Sequence, residues 1–162
     1  MVGVLSGCGK GDAGMGNPEY ESRTEESAQD HTEEVSSRIR DLIDIAGKTT
    51  EPGALVDGYA DCPGGDNTFR VRHAWSIYEL PRAELRAGMD RLRERLPENG
   101  WEISKDGPDG SPNNNPEIVA SRPEDGFFLK ASLRLRPDGS SAPPLLAVTL
   151  VSPCYRNASD DD

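Results

Sequence analysis

Few residue types in this chain could do chemistry. There are two histidines and three cysteines among 162 residues. His31 stands in an acidic run with no partner nearby in sequence. His73 falls on the apolar side of an alternating stretch, where an imidazole is expected to be a hydrogen-bonded core or sheet-end group and not a ligand. No H-x-x-x-H, H-E-x-x-H or C-x-x-C spacing is present, so nothing supports a zinc site. Gly9-Lys10 is followed by Gly11, where a phosphate-binding loop needs a hydroxyl. Asp106 and Glu117 have the span of a calcium loop, but Pro108 and Gly110 stand where ligands are required. With no G-x-S-x-G either, the sequence assigns no catalytic residue, metal or cofactor. An enzyme would need a pocket lined by Asp61, His73 and Ser152.

One constellation survives. Arg70 and Arg72 alternate with Phe69, Val71 and His73, and Lys130, Arg134 and Arg136 alternate with Leu129, Leu133 and Leu135. If the apolar sides face a core, the other face displays five cations with Tyr78 and Phe128 among them. Such a face can hold an anionic partner: a lipid headgroup, a wall polymer or an acidic peptide. The plainer alternative is a solvated sheet face whose charges discourage aggregation.

The net charge is −11. Residues 1–34 hold eight acids against Lys10 and Arg23, and the chain closes on Asp160-Asp161-Asp162, so −9 resides at the ends and about −2 in residues 35–156. The acidic ends read as solvated tails. The nearly neutral middle has no long-range field for capturing nucleic acid, which excludes that partner.

Leu5-Ser6-Gly7-Cys8 resembles the lipobox of bacterial lipoproteins, where a signal peptide is cut and the new N-terminal cysteine acylated. Acylation at Cys8 accounts for the odd cysteine and leaves Cys62 and Cys154 to pair. The alternative is three reduced thiols. Only seven residues precede Cys8, whereas an export signal needs about 15–30. The true start is therefore expected upstream of Met1. The lipobox implies a lipid anchor at the outer face of the cell membrane.

The elements follow from periodicity. Residues 1–8 read as a signal remnant, 9–23 as a flexible tether, 24–156 as one domain and 157–162 as an acidic tail. Val35, Ile39, Leu42, Ile43 and Ala46 mark one helix face. The helix is expected to start near Ser22 or Thr24; Ser22 with Glu25 has capping-box spacing, and Gly47 is a natural stop. The N-terminal half of this helix lacks an apolar stripe and is expected to stand free. A loop over 48–67 leads to the first strand, Phe69–Tyr78. Pro81 opens a second helix carrying Leu85, Met89, Leu92 and Leu96, its arginines expected to form i,i+4 pairs on a solvated face. Four short strands follow near 101–105, 117–121, 127–136 and 145–152.

An antiparallel meander of the last four strands puts the fifth, apolar at nearly every position, beside the first. The start of the first strand then lies next to the end of the fifth, and Cys62 and Cys154 come within disulfide reach. The expected fold is an α+β two-layer sandwich, with two helices on one face of a five-stranded, mainly antiparallel sheet in the order 1-5-4-3-2.

The lipobox, the acidic tether, the strand containing Trp75, the helix running into Asn99-Gly100-Trp101 and the final Ser152-Pro153-Cys154 together resemble small secreted lipoproteins of actinobacteria. Fourteen arginines against four lysines suit a GC-rich source of that kind. The resemblance implies a membrane-tethered, extracytoplasmic, non-catalytic domain and supplies no active site. It leaves two roles open: binding an anionic envelope component or a protein partner, or docking as an accessory subunit on an exported or membrane complex.

Overall fold

The computed structural model describes residues 20–50, 52–57, 62–63, 67–136 and 141–158. The elements, in order, are β1 (Ser22–Arg23), α1 (Glu25–Ile43), β2 (Lys48–Thr49), β3 (Leu55–Asp57), β4 (Thr68–Tyr78), α2 (Arg82–Arg95), a 3-10 turn (Pro97–Asn99), β5 (Glu102–Pro108), β6 (Pro116–Arg122), β7 (Phe127–Arg134), β8 (Leu145–Val151) and β9 (Tyr155–Asn157). The class is α+β. The five long strands lie in the order β4-β8-β7-β6-β5, each antiparallel to its neighbour.

The expectation of a five-stranded sheet needs correcting. Four more short strands extend it, three pairing with β4 and one with β9, making nine among the described residues. Lys48–Thr49 and Leu55–Asp57 pair antiparallel with β4 along its free edge. Beyond β8, β9 pairs with Thr68 and Phe69, and β1 lies parallel to β9, so the sheet is mixed. These additions are two or three residues long, too short for alternation to appear in a sequence.

They also move the expected boundaries. Ser22 and Arg23, assigned to the tether, belong to β1. The Tyr20 hydroxyl donates to the Pro63 carbonyl at 2.7 Å. Asn157, assigned to the tail, donates its N–H to Asn67 at 2.7 Å. Residues 1–19, including Cys8, and residues 159–162 lie outside the described residues.

Helix α1 starts at the second of the two expected positions. Thr24 is the cap, its hydroxyl accepting from the Ser27 N–H at 3.1 Å, with Glu25 and Glu26 in the first turn. The N-terminal half does not stand free. Ala28 and Thr32 are buried, and Ala28 packs with Ala54, Phe69, Val71 and Tyr155. Small residues take the place of an apolar stripe here and let the chain come close. Gln29 donates to the Ala54 carbonyl and Glu33 accepts the Ala54 N–H, both at 2.8 Å.

The other end of α1 stops at Asp44, left-handed at φ 52°, rather than at Gly47. Its last carbonyls are satisfied from the second helix. Arg91 donates to Asp44 at 2.7 Å and to Ile43 at 3.3 Å, and Arg95 donates to Leu42 at 3.0 Å. Two of the arginines expected on a solvated face thus cap a neighbouring helix, where both the unpaired carbonyls and the negative dipole end favour a cation. Gly47 serves a different need: a Cβ there would come within 2.9 Å of the Tyr78 carbonyl oxygen.

Both helices cover one face of the sheet. Val35, Ile39 and Ile43 from α1 and Leu85, Met89 and Leu92 from α2 pack on Trp75, Ile77, Leu129, Leu133, Leu146, Val148 and Leu150. Each such side chain stabilises the fold by roughly 1.5–3 kcal/mol when fully buried. At the β6–β7 turn, Arg122 pairs with Asp125 and lies over the Trp101 and Phe127 rings, 5.3 and 5.6 Å from their centroids. Burial pushes the Asp125 carboxyl up, but Arg122 outweighs it and the net shift is downward.

Cys62 and Cys154 are joined in a disulfide, with Cα atoms 5.9 Å apart and a sequence separation of 92. Loop-closure entropy for such a span is about 4–5 kcal/mol, an upper figure in practice. Cys62→Ser with Cys154→Ser, or reduction of the native chain, is expected to lower unfolding stability by up to that amount. Urea unfolding with and without reductant measures it, and an unchanged midpoint would contradict the expectation.

A pH effect is expected at the β5–β6 loop. The Asp109 carboxylate accepts from Ser111 and Asn115, first of all Ser111, which holds its pKa down to about 2 from an ordinary 3.8. A depressed carboxylate supports its loop above the unfolded value and loses that support as pH falls toward the folded one. The Ser111 and Asn115 amide resonances are therefore expected to shift with a midpoint near 2. A midpoint near 3.8 would show that the loop does not hold the carboxylate.

Candidate functional site

The face of the sheet turned away from the helices is built by strict alternation. On β4 the inward residues are Phe69, Val71, His73, Trp75 and Ile77, and the outward ones Arg70, Arg72, Ala74, Ser76 and Tyr78. On β7 the outward set is Phe128, Lys130, Ser132 and Arg134, and on β8 it is Leu145, Ala147, Thr149 and Val151. Cross-strand register arranges these into rows. Leu55, Arg72, Val151 and Phe128 are successive partners across β3, β4, β8 and β7. Ala74, Thr149 and Lys130 form another row, and Tyr78, Leu145 and Arg134 a further one. Since β8 alone separates β4 from β7, Arg72 and Phe128 are about 10 Å apart across the sheet.

The five cations proposed from sequence do not fare alike. Arg72, Lys130 and Arg134 are exposed on this face. Arg70 is only partly exposed, and its Nε is buried without a hydrogen-bond partner. Arg136, just beyond β7, has the same feature at its Nε, while its backbone carbonyl accepts from Arg82 at 2.8 Å. Lys130 is not a lone charge: the buried Glu117 carboxylate takes Lys105 at 2.9 Å and Lys130 at 3.4 Å.

Three participants escape sequence reasoning. Leu55 sits on a three-residue strand inside what reads as loop. Lys105 would share a face with Ile103 by alternation, but a register shift between them pairs Ile103 with Ala120 and Lys105 with Val119, which turns the lysine outward. Glu117 carries no sequence signal of its own. Leu55 is 68% exposed and Phe128 41%, and these are the large apolar side chains most exposed among the described residues. They stand in the same row as Arg72.

Of the residues that would reopen a catalytic reading, the two described ones, His73 and Ser152, are each engaged in the fold. Asp61 lies outside the described residues. Ser152 is used structurally: its hydroxyl accepts the Val71 N–H at 2.8 Å and its N–H donates to the Val71 carbonyl at 2.9 Å. His73 lies beside α1. Its Nε2 meets the Pro52 carbonyl at 2.9 Å, and its Nδ1 meets the Ser36 hydroxyl at 2.7 Å. A carbonyl only accepts, so Nε2 carries the proton, and in the neutral ring Ser36 donates to Nδ1. The serine–histidine–carbonyl order resembles a nucleophile, its base and an orienting group. Ser36, however, is buried in mid-helix, where neighbouring N–H groups are engaged in the helix ladder and leave no donors for an oxyanion. The trio instead fastens α1, β4 and the 50–54 segment together.

Among the described residues no cluster of His, Cys, Asp and Glu is arranged to hold a metal. No helix there is long and apolar enough to cross a membrane. Comparison with family models, curated proteins and solved structures finds no match to this chain.

Proposed function

We propose that this chain is a membrane-tethered extracytoplasmic lipoprotein domain, non-catalytic, that engages an anionic, phosphate-bearing surface through the uncovered face of its sheet. One observation carries the reading. Leu55 and Phe128, the exposed large apolar side chains, share a row with Arg72, on the face that neither helix covers. Cations that attract phosphates, interleaved with apolar groups that can enter a headgroup layer, are what a surface-binding face requires. Anchoring is assigned to Cys8. From there to Tyr20 the chain can span at most about 40 Å, enough for the face to lie against the same membrane. The Cys62–Cys154 disulfide supports a place outside the reducing cytoplasm.

The accessory-subunit alternative, docking through a sheet edge, has less behind it. The edge strand β5 carries Lys105, Asp106 and Pro108 and an irregular register, features that resist strand addition.

The test uses the full chain with Cys8→Ser, oxidised, so that binding is read without the anchor. It is expected to sediment with phosphatidylglycerol vesicles, to be released by salt, and to ignore phosphatidylcholine vesicles. A charge near such a surface contributes about 1 kcal/mol, so reversing two, Arg72→Glu with Arg134→Glu, is expected to weaken partitioning about a thousandfold. A soluble glycerol-phosphate polymer separates the two phosphate sources. Phe128→Ser weakens vesicle binding alone if lipid is the partner, and binding to the polymer without vesicle binding assigns the wall. Retention that survives charge reversal would sink the proposal. The anchor is tested independently: acyl labelling in the native host is expected to vanish in Cys8→Ala, and label that persists would refute it.

A further inference from the structure

On the opposite side of β4 from the cationic face there is a cleft of about 290 Å³, lined among the described residues by α1, the segment leading from β2 to β3, and β4. It is independent of the anion-binding reading. From α1 come Glu33, Ser36, Ser37 and Arg40, spaced i, i+3, i+4 and i+7 along one helix face. From the segment come Thr49, Thr50, Pro52 and Gly53, and from β4 His73 and Trp75.

Its position in the core is unusual. The apolar interior divides into two clusters, one containing Trp75 and Ile77, the other Phe69 and Val71. His73, between Val71 and Trp75 on the same side of β4, marks the break, and Ser36 of α1 meets it there. A continuous apolar stripe would have closed this space. Polar residues that interrupt a core pattern are where function is to be sought.

The walls are already fixed. Ser36 and Pro52 hold the His73 ring, Glu33 accepts the Ala54 N–H at 2.8 Å, and the Thr50 hydroxyl accepts the Ser76 N–H at 2.9 Å. Both His73 nitrogens are engaged, but hydrogen-bonding capacity remains at the second Glu33 oxygen and at the remaining lone pairs of the hydroxyls. Trp75 is only 7% exposed, and its indole N–H has no hydrogen-bond partner.

Charge narrows the ligand class. Glu33 and Arg40 lie seven residues apart on α1, roughly 10 Å along its axis. Among the described lining residues stand one carboxylate and one guanidinium, so an anion meets Glu33 and a cation meets Arg40. Between them stand hydroxyls, which both donate and accept. A neutral ligand bearing several hydroxyls offers the matching alternation of donors and acceptors. The volume lies at the small end for ligand sites, which begin near about 300 Å³, and suits a single ring. We propose that this cleft binds a neutral polyhydroxylated ligand, one sugar residue at a time, between the Glu33–Arg40 face of α1 and the floor formed by His73 and Trp75.

The chain has two tryptophans, so its indole N–H resonances number two, and Trp101→Phe assigns them. The full chain with Cys8→Ser, oxidised and nitrogen-15 labelled, is titrated with N-acetylglucosamine, methyl glucoside and methyl mannoside, and separately with glycylglycine and inorganic phosphate. At least one neutral sugar is expected to move the Trp75 indole resonance saturably while that of Trp101 stays in place. Gly53 is exposed, and a Cβ there would lie 3.6 Å from the Glu33 carboxylate, so Gly53→Leu fills the cleft without a backbone clash. It is expected to weaken the response about tenfold or more, equivalent to 1.4 kcal/mol. Ser37→Val, on the exposed surface of α1, is the second variant and is expected to weaken it in the same direction. If no sugar moves the Trp75 resonance, if both variants respond like the parent, or if glycylglycine or phosphate alone binds, the assignment is overturned.

Discussion

The pairing of β4 with β8 is the constraint on which everything else rests. Seven consecutive residue pairs, from Arg72–Val151 to Tyr78–Leu145, fix which side chains of β4 point at the helices and which at solvent. A slip of one residue would exchange the two sets, putting Arg70 and Arg72 against α1 and Trp75 in water. Two devices at the same end of the pair prevent this. Ser152 binds Val71 in both directions where β8 gives way to β9, and the Cys62–Cys154 disulfide lies just beyond. The bend between them lets one continuous chain pair with β4 twice, first as β8 and then as β9, which makes β4 long enough to carry both the cationic face and the floor of the cleft.

Helix α1 follows from that arrangement. It crosses two packing regimes. Toward its C-terminus Val35, Ile39 and Ile43 enter the main core, and toward its N-terminus the buried residues are Ala28 and Thr32. The small residues bring the 52–54 segment within hydrogen-bonding distance of Gln29 and Glu33. The cleft at Ser36 and His73 lies at the change from one regime to the other, so its existence is a consequence of how α1 is packed and not of a loop that happens to stand off. The arginines from α2 at the far end of α1 then fix its position along the sheet, since the carbonyls they reach belong to its last turn and cap.

The parts legible in the sequence are those with enough residues to show a period. The alternation in β4, β7 and β8, the apolar stripes of both helices and the placement of two cysteines at the ends of β4 and β8 lead to the α+β class and to the set of outward cations. Illegible features share a physical cause: each depends on a partner distant in sequence. β2, β3 and β9 exist because β4 offers them an edge, and β1 because β9 does. The bulge that turns Lys105 outward is expressed only against β6. Arg91 and Arg95 look like any solvated helix arginines until α1 ends beside them. Of the five proposed face cations, alternation locates Arg70 correctly on the strand, but only the structure shows its Nε buried beside neighbours that alternation cannot name. Glu117, which gathers two lysines, has no local pattern that could reveal it.

An acidic protein with a cationic sheet face presents an apparent conflict, and the distribution of charge resolves it. The 19 residues of α1 include six acids against two arginines, all on the side of the sheet opposite Arg72, Lys130 and Arg134. Helix α2 adds five arginines against three acids on that same side, so the two helices together come to −2, and the contrast across the thickness is carried mainly by the cations of the uncovered sheet. Over distances greater than a Debye length, about 8–10 Å at physiological salt, the net charge is screened, and what an approaching surface meets is the nearest face. Under the proposed function an anionic surface meets its complement on the sheet side, so the charge pattern favours one orientation without requiring high affinity. If the proposed anchor at Cys8 holds the domain close to such a surface, an orienting preference is all that binding requires. The same orientation would turn the helix-side cleft outward, open to solvent while the sheet face is engaged.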